Sequence, residues 1–238
     1  MIWFYCPDIR GEFAHFDENE AHHCVQVLRH RLGDIVHWID GRGNLYEGCI
    51  SDTGKKVCVA KITNTITNYG QRSYSVTLAV APPKNTDRVA WLTEKCTEIG
   101  LDTLAPVWCS RSERTHLRAD RLQGIAVSAT KQSKQATVPK VCEPKAFAQW
   151  LNETQKLPAE TQKFIAWCSD EPVPHLADLY TRGSDVVMLI GPEGDFTPAE
   201  VLAAQAVGFR AISLGDTRLR TETAAFTAVQ TVAFVNRC

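Results

Sequence analysis

Val186-Val-Met-Leu-Ile190, followed by Gly191-Pro-Glu-Gly-Asp-Phe196 and then Thr197-Pro-Ala-Glu200, is the stretch that decides the fold of this chain. Five consecutive apolar residues without alternation read as a strand buried on both faces. The glycines and proline break the strand. Thr197 with Glu200 three residues later is a capping box, which opens a helix that Gly208 ends. A fully buried strand that feeds a helix through a short loop belongs to a mostly parallel sheet covered on both sides. The same rhythm runs outward from there. Val76 to Ala81, Leu104 to Cys109, Phe164 to Cys168 and Ala211 to Leu214 read as strands. Thr86 to Ile99 (stopped by Gly100), about Arg118 to Lys134, and Thr223 to Val235 read as helices. The expected α/β domain spans 74–238.

The first seventy residues follow a different pattern. Ile35 to Ile39 and Leu45 to Ile50 flank the Gly-rich turn Asp40-Gly-Arg-Gly-Asn44, a hairpin signal. After Asp52-Thr-Gly-Lys55 a third strand runs through Val57, Val59 and Ile62. Asp17 with Glu20 predicts a capping box opening a short helix through Leu28. Closely spaced strands predict a small barrel over 1–70, with Thr63 to Ser73 as the linker.

The 238 residues carry a formal net charge of −1 and 44% hydrophobic residues, which excludes a disordered or fibrous chain. The total hides a polarity. Residues 1–71 carry 7 basic against 9 acidic groups, 72–145 carry 12 against 7, and 146–238 carry 7 against 11. The middle is therefore basic, and local distribution governs the field a partner feels. Arg111, Arg114, Arg118, Arg121, Lys131 and Lys134 fall in one stretch opposed only by Glu113 and Asp120. Read without further context, such a run is a solvated helix face. The nine cysteines are scattered without C-x-x-C spacing, which predicts buried free thiols in a reducing compartment and no zinc site. The N-terminus reads as no signal peptide, and no run is long enough to span a bilayer. The expectation is a soluble, cytoplasmic protein without metal.

Two late loops point to chemistry. Gly191 to Phe196 leaves a buried strand, and Gly215-Asp-Thr-Arg-Leu-Arg-Thr-Glu-Thr223 leaves the next. Ligands in open α/β sheets sit beyond the carboxyl ends of strands. The first loop lacks the Lys-Ser/Thr pair of a phosphate loop and the full G-x-G-x-x-G spacing, so neither an NTP nor a dinucleotide is supported. Each loop alone also fits a plain turn; two at adjacent sheet ends predict a pocket.

Leu189-Ile-Gly-Pro-Glu-Gly194, Leu214-Gly215 with Leu219-Arg-Thr-Glu-Thr-Ala224, Lys95-Cys-Thr-Glu-Ile-Gly100, Ser112-Glu-Arg114 and Lys131-Gln-Ser-Lys134, together with His22-His-Cys-Val-Gln-Val-Leu-Arg29 and Gly33-Asp34, resemble the bacterial 16S ribosomal RNA uridine-N3 methyltransferase family of the SPOUT superfamily. The resemblance covers nearly the whole chain. Asp195 stands where many members have a further glycine, and Asp216 where many have proline. The resemblance implies a C-terminal trefoil-knotted α/β methyltransferase domain, an N-terminal PUA-like β-barrel, a homodimer, and S-adenosylmethionine as cofactor. It implies 16S ribosomal RNA, or the small subunit, as partner.

On this resemblance the cofactor wall is Trp167, Leu189, Ile190, Gly191, Pro192, Glu193, Gly194, Ser213, Leu214, Gly215, Leu219, Arg220 and Thr221. Arg29, Arg31, Lys84, Arg111, Arg114, Lys131 and Lys134 are the RNA contacts. Transfer of a methyl group to uridine N3 requires loss of a weakly acidic proton and stabilisation of the resulting charge. Arg220 is the candidate for the charge, and Glu193 or Glu222 for the proton. The alternative for each is structural: an Arg220–Glu222 bridge, or Glu193 bonding loop amides. Alternative functions are a related methyltransferase aimed at a ribose 2′-hydroxyl or another base, and a non-catalytic RNA-binding assembly factor.

Overall fold

A computed structural model describes residues 2–54, 56–113, 116–169 and 172–237. The chain divides into two compact units, Met1–Gln71 with Val127–Val138, and Arg72–Ala126 with Pro139–Cys238.

The first unit is a six-stranded sheet. Its elements are β1 (Trp3–Tyr5), β2 (Ile9–Arg10), β3 (Phe13–His15), α1 (Glu18–His22), β4 (Ile35–Ile39), β5 (Leu45–Thr53) and β6 (Cys58–Ile66). The strand order is β1-β4-β5-β6-β3-β2, antiparallel except for β1 against β4. The expected hairpin is β4–β5, with Trp38 opposite Tyr46 and their rings stacked at 5.6 Å. Its turn closes on the buried Asp40 carboxylate, which accepts the backbone N–H groups of Arg42 at 2.8 Å and Asn44 at 3.2 Å. β6 reaches Ile66 and so absorbs the start of the stretch expected as linker.

The helix predicted through Leu28 is a single α turn continued by a π turn, His23–Val27. Asp17 caps it as predicted, accepting the Glu20 N–H at 2.8 Å. Glu20 itself does not reach back; its carboxylate pairs with Lys131. A nearly buried carboxylate requires a counter-charge, and that charge arrives from a segment more than a hundred residues away.

The second unit runs β7 (Val76–Val80), α2 (Thr86–Ile99), β8 (Thr103–Trp108), α3 (Ala119–Gln132), β9 (Lys140–Val141), β10 (Lys145–Ala146), α4 (Phe147–Thr154), β11 (Gln162–Ala166), α5 (Leu176–Leu179), β12 (Val186–Ile190), α6 (Pro198–Ala206), β13 (Arg210–Ile212) and α7 (Thr221–Arg237). Its sheet, ordered β10-β8-β7-β12-β11-β13 with β9 beside β8, is parallel at every pairing. Side chains alternate across it as the pleat requires. Val186, Met188 and Ile190 pack with α2 and α7 residues such as Leu92 and Val229. Val187 and Leu189 pack on the other face with Trp150 of α4 and Val201 of α6. Burial of each large apolar side chain there contributes about 1.5–3 kcal/mol. α2 ends as predicted, with Gly100 in the left-handed region at φ 117°.

The described cysteines are all free. Burial pushes the Cys96 thiol up to about 12, which keeps it protonated and unreactive at neutral pH. Among the described residues no helix is long and apolar enough to cross a membrane.

The predicted capping box of α6 is complete and extends further than the sequence indicates. Glu200 accepts hydrogen bonds from the backbone N–H and hydroxyl of Thr197, at 2.8 and 2.9 Å, and of Ser110, at 2.8 and 3.1 Å. Burial alone would raise its pKa, but these donors outweigh burial and hold the carboxyl below its ordinary 4.5. A depressed carboxyl contributes stability above its unfolded value and loses it as pH falls through the folded one. Acidification below 4.5 is therefore expected to destabilise the wild-type protein more steeply than Glu200→Gln. Urea unfolding from about pH 6 to about pH 3 measures this, and parallel curves would refute it.

Candidate functional site

The strand order sets β12, β11 and β13 side by side and parallel, so their carboxyl ends emerge together. A cavity of about 800 Å³ opens there, within the range of small-molecule sites. Three loops form its walls: the exit of β11 from Ala166 to Ser169, the exit of β12 from Ile190 to Asp195, and the exit of β13 from Ile212 to Thr221. Pro172, Val173 and Ala224 complete it.

The β12 loop is tied to its surroundings at successive residues. The Thr221 hydroxyl donates to the Gly191 carbonyl at 3.0 Å. Glu193 accepts the backbone N–H of Lys84 at 3.1 Å. The Arg111 guanidinium donates to the Gly194 carbonyl at 2.8 Å. Asp195 accepts the Cys168 N–H at 2.9 Å, and Phe196 anchors the far end in the core against Phe147. At Gly191 a Cβ would lie 3.0 Å from the Phe196 ring, close enough that the ring would have to give way by a few tenths of an ångström. The β13 loop is shaped by the Ser213 hydroxyl, which accepts the Gly215 N–H at 3.1 Å, with Gly215 at φ 129°.

Of the residues expected to form a cofactor wall, Trp167, Ile190, Gly191, Pro192, Glu193, Ser213, Leu214, Gly215, Leu219, Arg220 and Thr221 line this cavity. Leu189 and Gly194 are not among its lining residues. Leu189 is wholly buried on the α4/α6 face, because neighbouring residues of a strand face opposite ways. A side chain at Gly194 would meet Arg111, 3.3 Å away. Sequence reasoning missed Pro172 and Val173, which carry no motif; Arg218, within the second loop it singled out, also lines the cavity.

The three catalytic candidates separate. Arg220 is exposed on the cavity wall and has no ion-pair partner among the described residues. Glu193 lines the cavity and bonds a loop amide. Glu222 is buried and pairs with Arg88 at 3.4 Å rather than with Arg220. Its second oxygen has no hydrogen-bond partner among the described residues.

The expected RNA contacts are also divided. Lys131 is engaged by Glu20, Lys134 lies 4.8 Å over the Trp3 ring, and Lys84 pairs with Glu113 at 3.0 Å. Arg111 is committed to loop carbonyls. Arg29 and Arg31 are exposed, Arg31 beside the Asp34 carboxylate. Arg114 lies outside the described residues. His23 packs edge-on to Phe4 at 5.8 Å, and among the described residues no group of three or more His, Cys, Asp or Glu stands together to bind a metal.

A parallel sheet with a three-loop cavity at its carboxyl edge, joined to a small strand-rich unit, agrees with what similarity to known proteins shows. Residues 71–233 match the RNA methyltransferase domain, and residues 16–63 the RNA methyltransferase PUA domain; the chain belongs to this RNA methyltransferase family. Among curated relatives it is similar to the ribosomal RNA small subunit methyltransferase E of Synechocystis, 28% identical over 86% of this chain and 67% of the relative. A probable rRNA-methyltransferase from Porphyromonas gingivalis is 34% identical, with a TM-score of 0.92 over 100% of this chain and 99% of that one. A small subunit methyltransferase E from Neisseria gonorrhoeae, bound to S-adenosyl methionine, is 30% identical, with a TM-score of 0.82 over 97% of this chain and 95% of the other.

Proposed function

We propose that this protein transfers the methyl group of S-adenosylmethionine to N3 of a uridine in the 16S RNA of the small ribosomal subunit. The observation that carries the reading is the cavity at the ends of β11, β12 and β13, with an arginine on its wall that no described carboxylate neutralises. Its residues fit the cofactor. Ile190, Pro192, Leu214 and Leu219 supply apolar surface beside backbone groups of two glycine loops. The buried indole N–H of Trp167, on the same wall, has no acceptor among the described residues. Such a slot suits a planar base that is held largely by main chain.

S-adenosylmethionine supplies an activated methyl group, and in-line transfer from it depends mostly on positioning. The β12 and β13 loops, locked by Thr221, Glu193, Arg111 and Asp195, provide that positioning. Arg220 stabilises charge developing on the uracil oxygens, and Glu193, exposed on the wall, takes the N3 proton. The target base must leave its stack to reach the cavity, so cations outside the cavity grip the flanking phosphates. Arg29 and Arg31, both exposed in the first unit, are assigned this role. Lys84, Arg111, Lys131 and Lys134 are held by contacts within their own units. Residues 1–70 serve as the PUA-like RNA-binding barrel, and residues 74–238, of which Val127–Val138 cluster with the first unit, as the methyltransferase domain of a cytoplasmic enzyme. We further propose a trefoil knot at the C-terminus, with α7 emerging behind the β12 loop that Thr221 clasps. A homodimer would form through α2 and α7, where Trp91 and Phe234 are 42% and 61% exposed.

Nucleoside mass spectrometry of 16S RNA from cells lacking the protein is expected to show loss of 3-methyluridine, restored by the gene. Loss of a different methylated nucleoside would move the target to another position. An unchanged spectrum, with no calorimetric binding of S-adenosylmethionine, would point instead to a non-catalytic RNA-binding factor.

A further inference from the structure

Asp195 is an unusual residue for its place in the β12 loop. Its backbone sits at φ 61°, in the left-handed region that glycine occupies most readily and that aspartate tolerates better than most. Both carboxylate oxygens are engaged. One accepts the Phe196 N–H at 2.8 Å, and the other accepts the N–H of Cys168, 27 residues away, at 2.9 Å. Cys168 follows Trp167 at the exit of β11, the central strand of the three whose ends form the cavity. A charged acceptor makes a stronger bond than a neutral one. This one joins two cavity walls that, among the described residues, no backbone ladder connects beyond the paired residues Ala166 and Ile190. Burial, reinforced by the Asp195 charge, also pushes the Cys168 thiol upward, consistent with a carboxylate seated against this segment.

We propose that Asp195 is a positioning residue of the cofactor site, whose carboxylate clips the β11 exit to the β12 loop and thereby sets the affinity of the cavity for S-adenosylmethionine. The proposal rests on the cofactor assigned above. Without the clip, residues 167–169 sample several conformations. Apparent affinity then falls in proportion to the fraction of molecules whose wall is in place.

Three variants separate the clip from the backbone conformation. Asp195→Gly adopts the left-handed backbone at least cost but removes both bonds. Asp195→Asn offers a single carbonyl oxygen and keeps one of them. Asp195→Ala removes both and adds strain. Calorimetry is expected to show S-adenosylmethionine binding roughly tenfold weaker in Asp195→Gly, with Asp195→Asn intermediate. Hydrogen exchange on the ligand-free proteins is expected to show the Cys168 amide protected in the wild type and fast in Asp195→Gly. Wild-type affinity in Asp195→Gly, or unchanged protection at Cys168, overturns the role of Asp195. Failure of the wild-type protein itself to bind S-adenosylmethionine overturns the cofactor reading beneath it. The exchange measurement judges the clip in either case.

Discussion

Arg220→Ala is expected to lower methyl transfer by about 10²–10³-fold, the usual cost of removing one group that stabilises a developing anion, while S-adenosylmethionine binding changes by less than about threefold. The expectation comes from where the arginine stands. Arg220 immediately precedes α7, at the positive end of the helix dipole, where a cation is disfavoured by about 0.3–1 kcal/mol. A second arginine, Arg218, lines the same wall. Glu222, two residues on, would be the natural neutraliser, but it is turned to Arg88 of α2. A cation kept unneutralised at a helix N-terminus concentrates positive potential at the cavity. That potential favours loss of the uracil N3 proton and holds the resulting anion. Single-turnover rates with saturating cofactor, alongside calorimetry, separate chemistry from binding. A variant that loses cofactor affinity and rate together would place Arg220 in the cofactor wall alone. One that loses neither would remove it from the mechanism.

Gly48→Ala is expected to destabilise the first unit by about 3 kcal/mol or more, at the upper end of overpacking effects. Gly48 lies in β5, opposite Val36 and Ile62, beside a register shift. A Cβ there would stand 2.3 Å from the Lys61 carbonyl oxygen and 2.6 Å from the Trp38 ring. Neither neighbour can yield. The carbonyl belongs to the paired strand, and Trp38 is wholly buried, stacked on Tyr46 and edge-on to Phe16. Relief therefore requires separation of β5 from β6 or ejection of the indole. Urea unfolding, with hydrogen exchange resolved along residues 35–66, reports the loss and its location. A change below about 0.5 kcal/mol, the scale of an ordinary surface substitution, would show that the sheet has slack at this point.

Much of the second unit was legible because its signals are local. Apolar runs gave its long strands, Gly100 stopped α2, and Thr197 with Glu200 announced α6, since a strand, a cap or a turn depends on residues a few positions apart. The two glycine loops of the cavity were legible for the same reason, but their strands β12 and β13 are not neighbours: β11 lies between them and adds the third wall. The short elements β9, β10 and α5 escaped notice because two to four residues carry no period, and α4 because its eight residues open without a capping side chain. The side chain of Leu189, expected on the cofactor wall, lies on the opposite face of the sheet, one step of the pleat from Ile190.

The sequence by itself thus determined the alternation of strands and helices, the two loops that wall the cavity, and the resemblance that named their chemistry. Only the tertiary structure decided which charges are occupied. Glu20 read as the closing half of a capping box, and Lys131 as a phosphate contact; they are partners. Glu222 and Arg220 are two residues apart, yet Arg88 takes the glutamate and leaves the arginine on the cavity wall. The physical reason is common to both pairs. A carboxylate withdrawn from water takes whichever cation the packing brings to it, and packing brings together residues that no sequence window contains.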